Sequence, residues 1–486
     1  MEYVIKGYKP EKLFNFFEEI SSIPRGSGNE KGIADYIEKF AKERDLFCVR
    51  DDLHNVFIRK EATAGYENSP PVMLQGHTDM VCEKNAETDH DFEKDGLKLT
   101  VKNGILKAEG TTLGGDDGIA VAIMLYALDS DSIQHPTLEC LFTTGEETGL
   151  YGATGFDYSV CSSKTLINLD SEEEGVATVS CAGGIGLDFT LKGKKVPIPS
   201  FARPLEISIT GLSGGHSGAD IHLQKGNANV LIAAILSALY EKHPFSLVSV
   251  SGGSRGNAIP REAKAVIFTD EVNEATDFVK EYASVIKSWL PKVDKGVKIR
   301  VSKAKGEYAK MYTFKDTVRY LSLVTLMPNG VISMMNSIQG MVQTSNNLGV
   351  VADNGDDGIF FVYHGRSSSE SQMDVLEIKS KTAAKLLDLD LDINGRYSGW
   401  PMKEGSKLGN LYMSVAKKVY GEKITPRLAA IHAGLECGII SSHIPDLDAI
   451  SIGPILKDIH SPDESLDLSS LSRLWDVVKA MLEEMK

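Results

Sequence analysis

No stretch of this sequence runs to about 18 uninterrupted apolar residues, so nothing in it reads as a helix that spans a bilayer. It lacks an apolar leader as well. Met1-Glu2-Tyr3-Val4-Ile5-Lys6 puts an acid and a base where a signal core needs apolar side chains. A basic excess is missing: 52 Lys and Arg face 67 Asp and Glu, and the net charge of −15 argues against nucleic acid or an anionic membrane as partner. Cysteine is sparse, six residues at 48, 82, 140, 161, 181 and 437 with no CxxC spacing. That excludes a zinc-finger ligand set, and in a reducing compartment such residues are thiols, several buried as small hydrophobes. These absences together predict a cytoplasmic protein with no membrane and no nucleic-acid partner.

What is present is ordinary for a globular chain: 42% apolar and 24% charged residues. At 486 residues the chain is too long for one common core, which predicts two domains. Helical spacing marks 10–47, broken at Ser22-Ile23-Pro24-Arg25-Gly26. Val56-Phe57-Ile58-Arg59, Val72 to Gly76, Leu138 to Thr144 and Leu166 to Asp170 read as strands, and Gly118 to Leu128 as an apolar helix. Strands alternating with helices predict an α/β fold with a mixed, largely parallel sheet and flanking helices. After the glycine-rich Cys181–Gly186 the pattern changes. Residues 1–185 are therefore read as the first part of a catalytic domain, 186–399 as an inserted α+β domain, and 400–486 as the part that completes the first.

Chemistry-bearing residues cluster in short, turn-like contexts. They are Gly76-His77-Thr78-Asp79, Gly114-Gly115-Asp116-Asp117-Gly118, Gly145-Glu146-Glu147-Thr148-Gly149, Asn168-Leu169-Asp170 and, far along the chain, Asp458-Ile459-His460-Ser461. Taken singly, each is an unremarkable turn. Together they offer two imidazoles and several carboxylates, nearly all at predicted strand ends, where open α/β sheets bind ligands. Asp79 stands two residues from His77 and can take its second ring N–H, as metal-bound imidazoles commonly require. Adjacent acids repel unless something positive holds them; Asp117 is read as a helix cap and Asp116 as a carboxylate able to bridge two ions. Of Glu146 and Glu147, one can bind metal while its neighbour reaches the water that metal activates. The reaction class is metal-assisted hydrolysis. Histidine and carboxylate without cysteine suit Zn²⁺, with Mn²⁺ and Co²⁺ open.

The inserted section has candidates of its own. His216, in Gly211-Leu212-Ser213-Gly214-Gly215-His216-Ser217-Gly218, can donate to a developing oxyanion. Asn257 in Gly256-Asn257-Ala258-Ile259-Pro260 offers an amide, and Arg366 in Gly365-Arg366-Ser367-Ser368 a guanidinium suited to a substrate carboxylate. Ile431 to Gly438, IHAGLECG, can line a pocket.

GHTDMV, LGGDDGIA, TGEETG, NLD, GLSGGHSG, GNAIPREA, HAGLECG and the late His460 resemble the cytosolic dizinc dipeptidases of the carnosinase and aminoacylase-like metallopeptidase family, across nearly the whole chain. The resemblance implies that His77 and Asp170 hold one zinc, Glu147 and His460 the other, and that Asp116 bridges. It implies Asp79 as the residue that orients His77, Glu146 as general base, and His216 as oxyanion donor from a lid domain. It further implies substrate contacts at Asn257, Arg366 and the Gly434 backbone, and a homodimer formed through the lid. The implied reaction is hydrolysis of unblocked dipeptides, Xaa-His and broader. The alternatives are an N-acyl-amino-acid deacylase or peptide carboxypeptidase on the same metal core, and a catalytically inert metal-binding scaffold.

Overall fold

The computed structural model describes residues 3–200 and 203–486; Met1 and Glu2, where the leader argument begins, lie outside the described residues. The chain divides into two compact units. One comprises 1–180, 402–430 and 435–486, and the other 181–401 with a four-residue return at 431–434.

The first unit is built on an eight-stranded sheet. At its centre, Leu138–Thr143, Val72–His77, Thr165–Asn168 and Asp448–Ser451 lie side by side and parallel. Such strands are covered on both faces and so read as unbroken apolar runs; Val72, Met73, Leu74, Leu166 and Ile167 are all fully buried. The margin is antiparallel. Phe47–Arg50 and Val56–Lys60 are joined by a short turn, which permits no other pairing. Helices flank the sheet. Gly115–Asp129 is apolar on all sides because it lies in the interior, with only Asp116, Tyr126 and Asp129 reaching the surface in part. A separate four-stranded sheet pairs Leu456–Lys457 with Ser465–Asp467, then Ile105–Ala108, then Leu99–Lys102. It ties the late chain to the stretch just ahead of Asp116.

The second unit carries a nine-stranded sheet whose described pairings are all antiparallel. Leu205–Thr210 alternates buried and half-buried residues, as a one-sided strand must. Helices Ala228–Tyr240, Val272–Trp289, Phe314–Leu326 and Glu370–Leu387 belong to this unit, and its core gathers Ile185, Phe189, Ile207, Ile232, Leu236 and Phe361. The glycines at 183–186, read from sequence as a break, begin the nine-residue strand Gly183–Leu191. Gly184 and Gly186 are small because the Tyr397 and Asn394 side chains lie directly against them, and Gly183 because the backbone at 397–399 does.

Candidate metal centre

Three adjacent parallel strands deliver donors at their carboxyl ends. His77 closes Val72–His77, Glu146 and Glu147 follow Leu138–Thr143, and Asp170 follows Thr165–Asn168. The register pairs His77 with Thr143, so His77 and the glutamate turn emerge at one level. Asp116 enters from the first turn of the Gly115–Asp129 helix, and the peptide joining it to Asp117 is cis. His460 arrives from the loop between the two late strands of the small sheet.

Asp116 is the centre of this group. Its Oδ1 lies 2.9 Å from His77 Nε2 and its Oδ2 lies 3.2 Å from His460 Nε2. His460 Nε2 is also 2.9 Å from Glu147 Oε1, and His77 Nε2 is 3.8 Å from Asp170 Oδ1. Two triads follow, His77 with Asp116 and Asp170, and His460 with Asp116 and Glu147. In each, the donor atoms all lie within 4.8 Å of one another. Glu146 groups with His77 and Glu147 by the same measure.

Asp79 is fully buried and stands behind His77. His77 Nδ1 lies 3.1 Å from its backbone carbonyl and 3.3 Å from its Oδ1, while its carboxylate accepts the Glu146 amide at 3.1 Å, the Glu147 amide at 3.3 Å and the Ser27 hydroxyl at 2.8 Å. One side chain therefore orients the imidazole and anchors the glutamate turn. Asp117 faces away from the group. It accepts the His77 amide at 3.2 Å and also bonds the Ala120 amide, so it both caps the helix and buttresses the strand.

Carboxylates and imidazoles crowd one another in this group and shift one another's protonation. Burial, then the neighbouring Asp116 and Asp117 carboxylates, pushes the Asp170 carboxyl well above its usual range. Burial also raises Glu146, to about 8, with Glu436, Glu147 and Asp116 adding to it. Hydrogen bonds to the Asp116 and Glu147 carboxylates raise His460 to about 10. Burial works against charge on His77, yet Asp116 and Asp79 outweigh it and raise that imidazole. Carboxylates crowded in this way, with imidazole nitrogens aimed into the same space, fit a pair of divalent ions, which relieve the repulsion. The acidic run after Asp170 has another use. Glu173 pairs with Arg427 at 2.9 Å, and Glu174 makes a two-pronged pair with Arg473 at 2.6 and 2.7 Å.

The second unit brings its own candidates together. Gly215–His216 pairs with Ala258–Ile259, which sets the histidine turn beside Asn257. Asn257 is engaged through its backbone carbonyl, which accepts the Ser217 amide at 2.8 Å. The amides of Gly218 and Ala219 donate to His216 Nδ1 at 3.3 and 3.1 Å. With that lone pair taken, the neutral ring carries its proton on Nε2 and is a donor there. Burial, with Arg366 second, lowers the His216 pKa and favours this neutral form. Arg366 Nη1 donates to the Tyr397 hydroxyl at 3.3 Å, and the ring of Tyr397 packs on Gly434, where a Cβ would come within 2.9 Å of it.

Several residues here escaped the motif reading. Asp294, fully buried, accepts the Ser213 amide and hydroxyl, each at 2.8 Å, and the Gly226 amide at 2.7 Å, bracing the histidine turn. Glu436, also fully buried, accepts from Thr143 Oγ1 at 2.7 Å and from Gln75. Arg25 and Glu464 sit against the loop that bears Asp116. A partial signal existed for Glu436, which falls in the Ile431–Gly438 segment already read as pocket lining, whereas Glu464 lies three residues beyond the Asp458–Ser461 segment. Arg25 and Asp294 had none.

Known proteins resemble this chain. The chain is 36% identical over 477 residues to the cytosol non-specific dipeptidase of Escherichia coli (strain K12), covering 98% of each chain. The crystal structure of aminoacylhistidine dipeptidase from Vibrio alginolyticus superposes with a TM-score of 0.93 at 35% identity, over 98% of this chain and 97% of that one. Aminopeptidase PepT from Bacillus cereus, at 17% identity and a TM-score of 0.56 over 98% and 99% of the two chains, shares the fold alone. The family pattern runs from residue 73 to residue 484, taking in every donor of the centre from His77 to His460, and by it the chain belongs to peptidase family M20/M25/M40.

Proposed function

We propose that this protein is a dipeptidase that cleaves the peptide bond of unblocked dipeptides, Xaa-His among them, using two zinc ions. The observation that carries the reading is Asp116, with one oxygen on each of two imidazoles. The likeness to two dipeptidases over almost their entire length directs it to this substrate class. His77, Asp170 and Asp116 would hold one ion, and His460, Glu147 and Asp116 the second. Ions so held supply Lewis-acid polarisation and make water a better nucleophile near pH 7. The remaining steps belong to the chain. Glu146, buried and beside the donors, takes the proton from the attacking water and returns it to the leaving nitrogen. Asp79 keeps the His77 ring and the Glu146 backbone in place. The neutral Nε2–H of His216 donates to the oxygen on which charge develops. Arg366 pairs with the substrate carboxylate, and Asn257 and the Gly434 backbone complete the pocket. The second unit serves as lid and as the surface through which a homodimer forms. No helix among the described residues is long and apolar enough to cross a membrane. The place of action we assign is the cytoplasm, on the likeness to a cytosol dipeptidase.

The test pairs metal analysis of the purified protein with a panel of free dipeptides and N-acetylated amino acids. Two zinc ions per chain and turnover of the free dipeptides are expected. Cleavage of acylated substrates alone would move the protein to a deacylase, and metal without turnover would leave a scaffold. Light scattering is expected to give twice the 52.8 kDa of one chain, and a monomer would remove the dimer.

A further inference from the structure

We propose that Arg25 and Glu464 are positioning residues for the metal centre. They grip the peptides of 113–116 from two sides and so set Asp116 between His77 and His460. Glu464 is 2% exposed, and both of its oxygens are spent on backbone amides. Oε2 accepts from Leu113 at 2.8 Å and Gly114 at 3.0 Å; Oε1 accepts from Gly115 at 2.8 Å and Asp116 at 3.4 Å. Arg25 is 1% exposed and spends its fork on carbonyls. Nη2 donates to Gly114 at 2.5 Å, and Nη1 donates to Thr78 at 3.0 Å and Asp79 at 3.3 Å. Both charges meet at Gly114, Glu464 on its amide and Arg25 on its carbonyl.

The connectivity gives these bonds their meaning. Thr78 and Asp79 directly follow His77, so Arg25 ties that loop to the Asp116 loop. Glu464 lies four residues after His460 and ties its loop to the same segment. The three donors come from stretches as far apart as His77 and His460, and two buried side chains join their three loops. Charge-assisted hydrogen bonds are short and directional, and the guanidinium plane fixes two acceptors at once. Gly114 has the backbone this needs: its φ is +62°, and a Cβ there would stand 2.5 Å from Arg25 Nη2. Supporting contacts of this kind set donor spacing, and their loss costs ~10–100-fold in metal affinity or activity.

The inference rests on the two-ion reading above, and the experiment separates the two. Metal-free parent protein is titrated with Zn²⁺ against a chelating competitor. A parent that takes up no pair of ions refutes the proposed function before any variant is made. Glu464→Gln retains the shape but turns an NH₂ toward amide donors. We expect it to stay folded, to bind the weaker Zn²⁺ ~10–100-fold less tightly, and to lose kcat with little change in KM. The matched control is Glu139→Gln. Glu139 is another buried carboxylate on loop amides, those of Ser162 at 2.9 Å and Ser163 at 3.0 Å, and it holds no part of the centre. It should lose stability yet keep parental Zn²⁺ affinity. If Glu464→Gln behaves like Glu139→Gln, the role is structural only and the proposal fails. Should Glu464→Gln not fold, Arg25→Lys, which keeps the charge and loses the fork, is read by the same titration: parental affinity overturns the proposal. Failure of both to fold also overturns it, by assigning the pair to the fold.

Discussion

Glu146 and Glu147 show how two identical neighbours acquire different work. Glu147 lies 2.9 Å from His460 Nε2, while Glu146 is held by its backbone amide on Asp79 with its own carboxyl raised by burial. Glu146→Ala should keep both ions and lose ~10²–10⁴-fold in kcat, the range of a general base. Loss of metal in that variant would make Glu146 a ligand instead. A second residue-scale prediction concerns pH. Burial, with Arg366 next, lowers His432 to about 3 and His364 to about 4, and both belong to the second unit. Unfolded, each takes up a proton near pH ~6.5. The folded forms stay neutral until much lower pH. Their stabilisation is therefore complete above ~6.5 and drains as pH falls from there toward 4 and 3. Urea midpoints should drop between pH 7 and pH 5, and His364→Gln should flatten that slope; parallel curves for parent and variant would take His364 out of the account.

At the scale of elements, the centre exists because neighbouring parallel strands end at one level. Much of this was legible. Unbroken apolar runs marked the central strands, alternation marked Leu205–Thr210, and the apolar 118–128 stretch marked the helix behind Asp116. Strand order was not legible, since pairing partners lie far apart in sequence. Nor was the four-stranded sheet around Ser465–Asp467, whose strands are two to four residues long. Nor was the strand at Gly183–Leu191 legible, because Gly184 and Gly186 admit the Tyr397 and Asn394 side chains onto it, a use of glycine that composition does not separate from a turn. Asp79 joins two of these strand ends, so its loss should be felt beyond His77. Asp79→Asn keeps the shape but weakens the acceptor for the Glu146 and Glu147 amides. Zn²⁺ affinity is expected to fall ~10–100-fold in a competitive titration, and parental affinity would confine Asp79 to a packing role.

For the molecule as a whole, all of the proposed ion donors belong to one unit and His216 and Arg366 to the other. Ions that bind only the folded first unit stabilise it by mass action, ~2.7 kcal/mol at a hundredfold excess over Kd. Calorimetry should therefore show chelation lowering one transition and leaving the other in place; a uniform shift would mean that the units melt as one. His216→Ala should leave both transitions and the metal content alone while kcat falls ~10²–10³-fold, as for loss of an oxyanion donor. The order of residue types along the chain determined the donor inventory, the reaction class and the α/β pattern, because carboxylate, imidazole and apolar periodicity are properties of the residues themselves. Only the tertiary structure decided that Asp116 faces both imidazoles, that His216 carries its proton on Nε2, and that Arg25 and Glu464 hold the loops. Those bonds run to backbone amides and carbonyls, or between side chains 39 and 344 positions apart. Every residue has a backbone, so such partners leave no mark in a sequence until folding selects them.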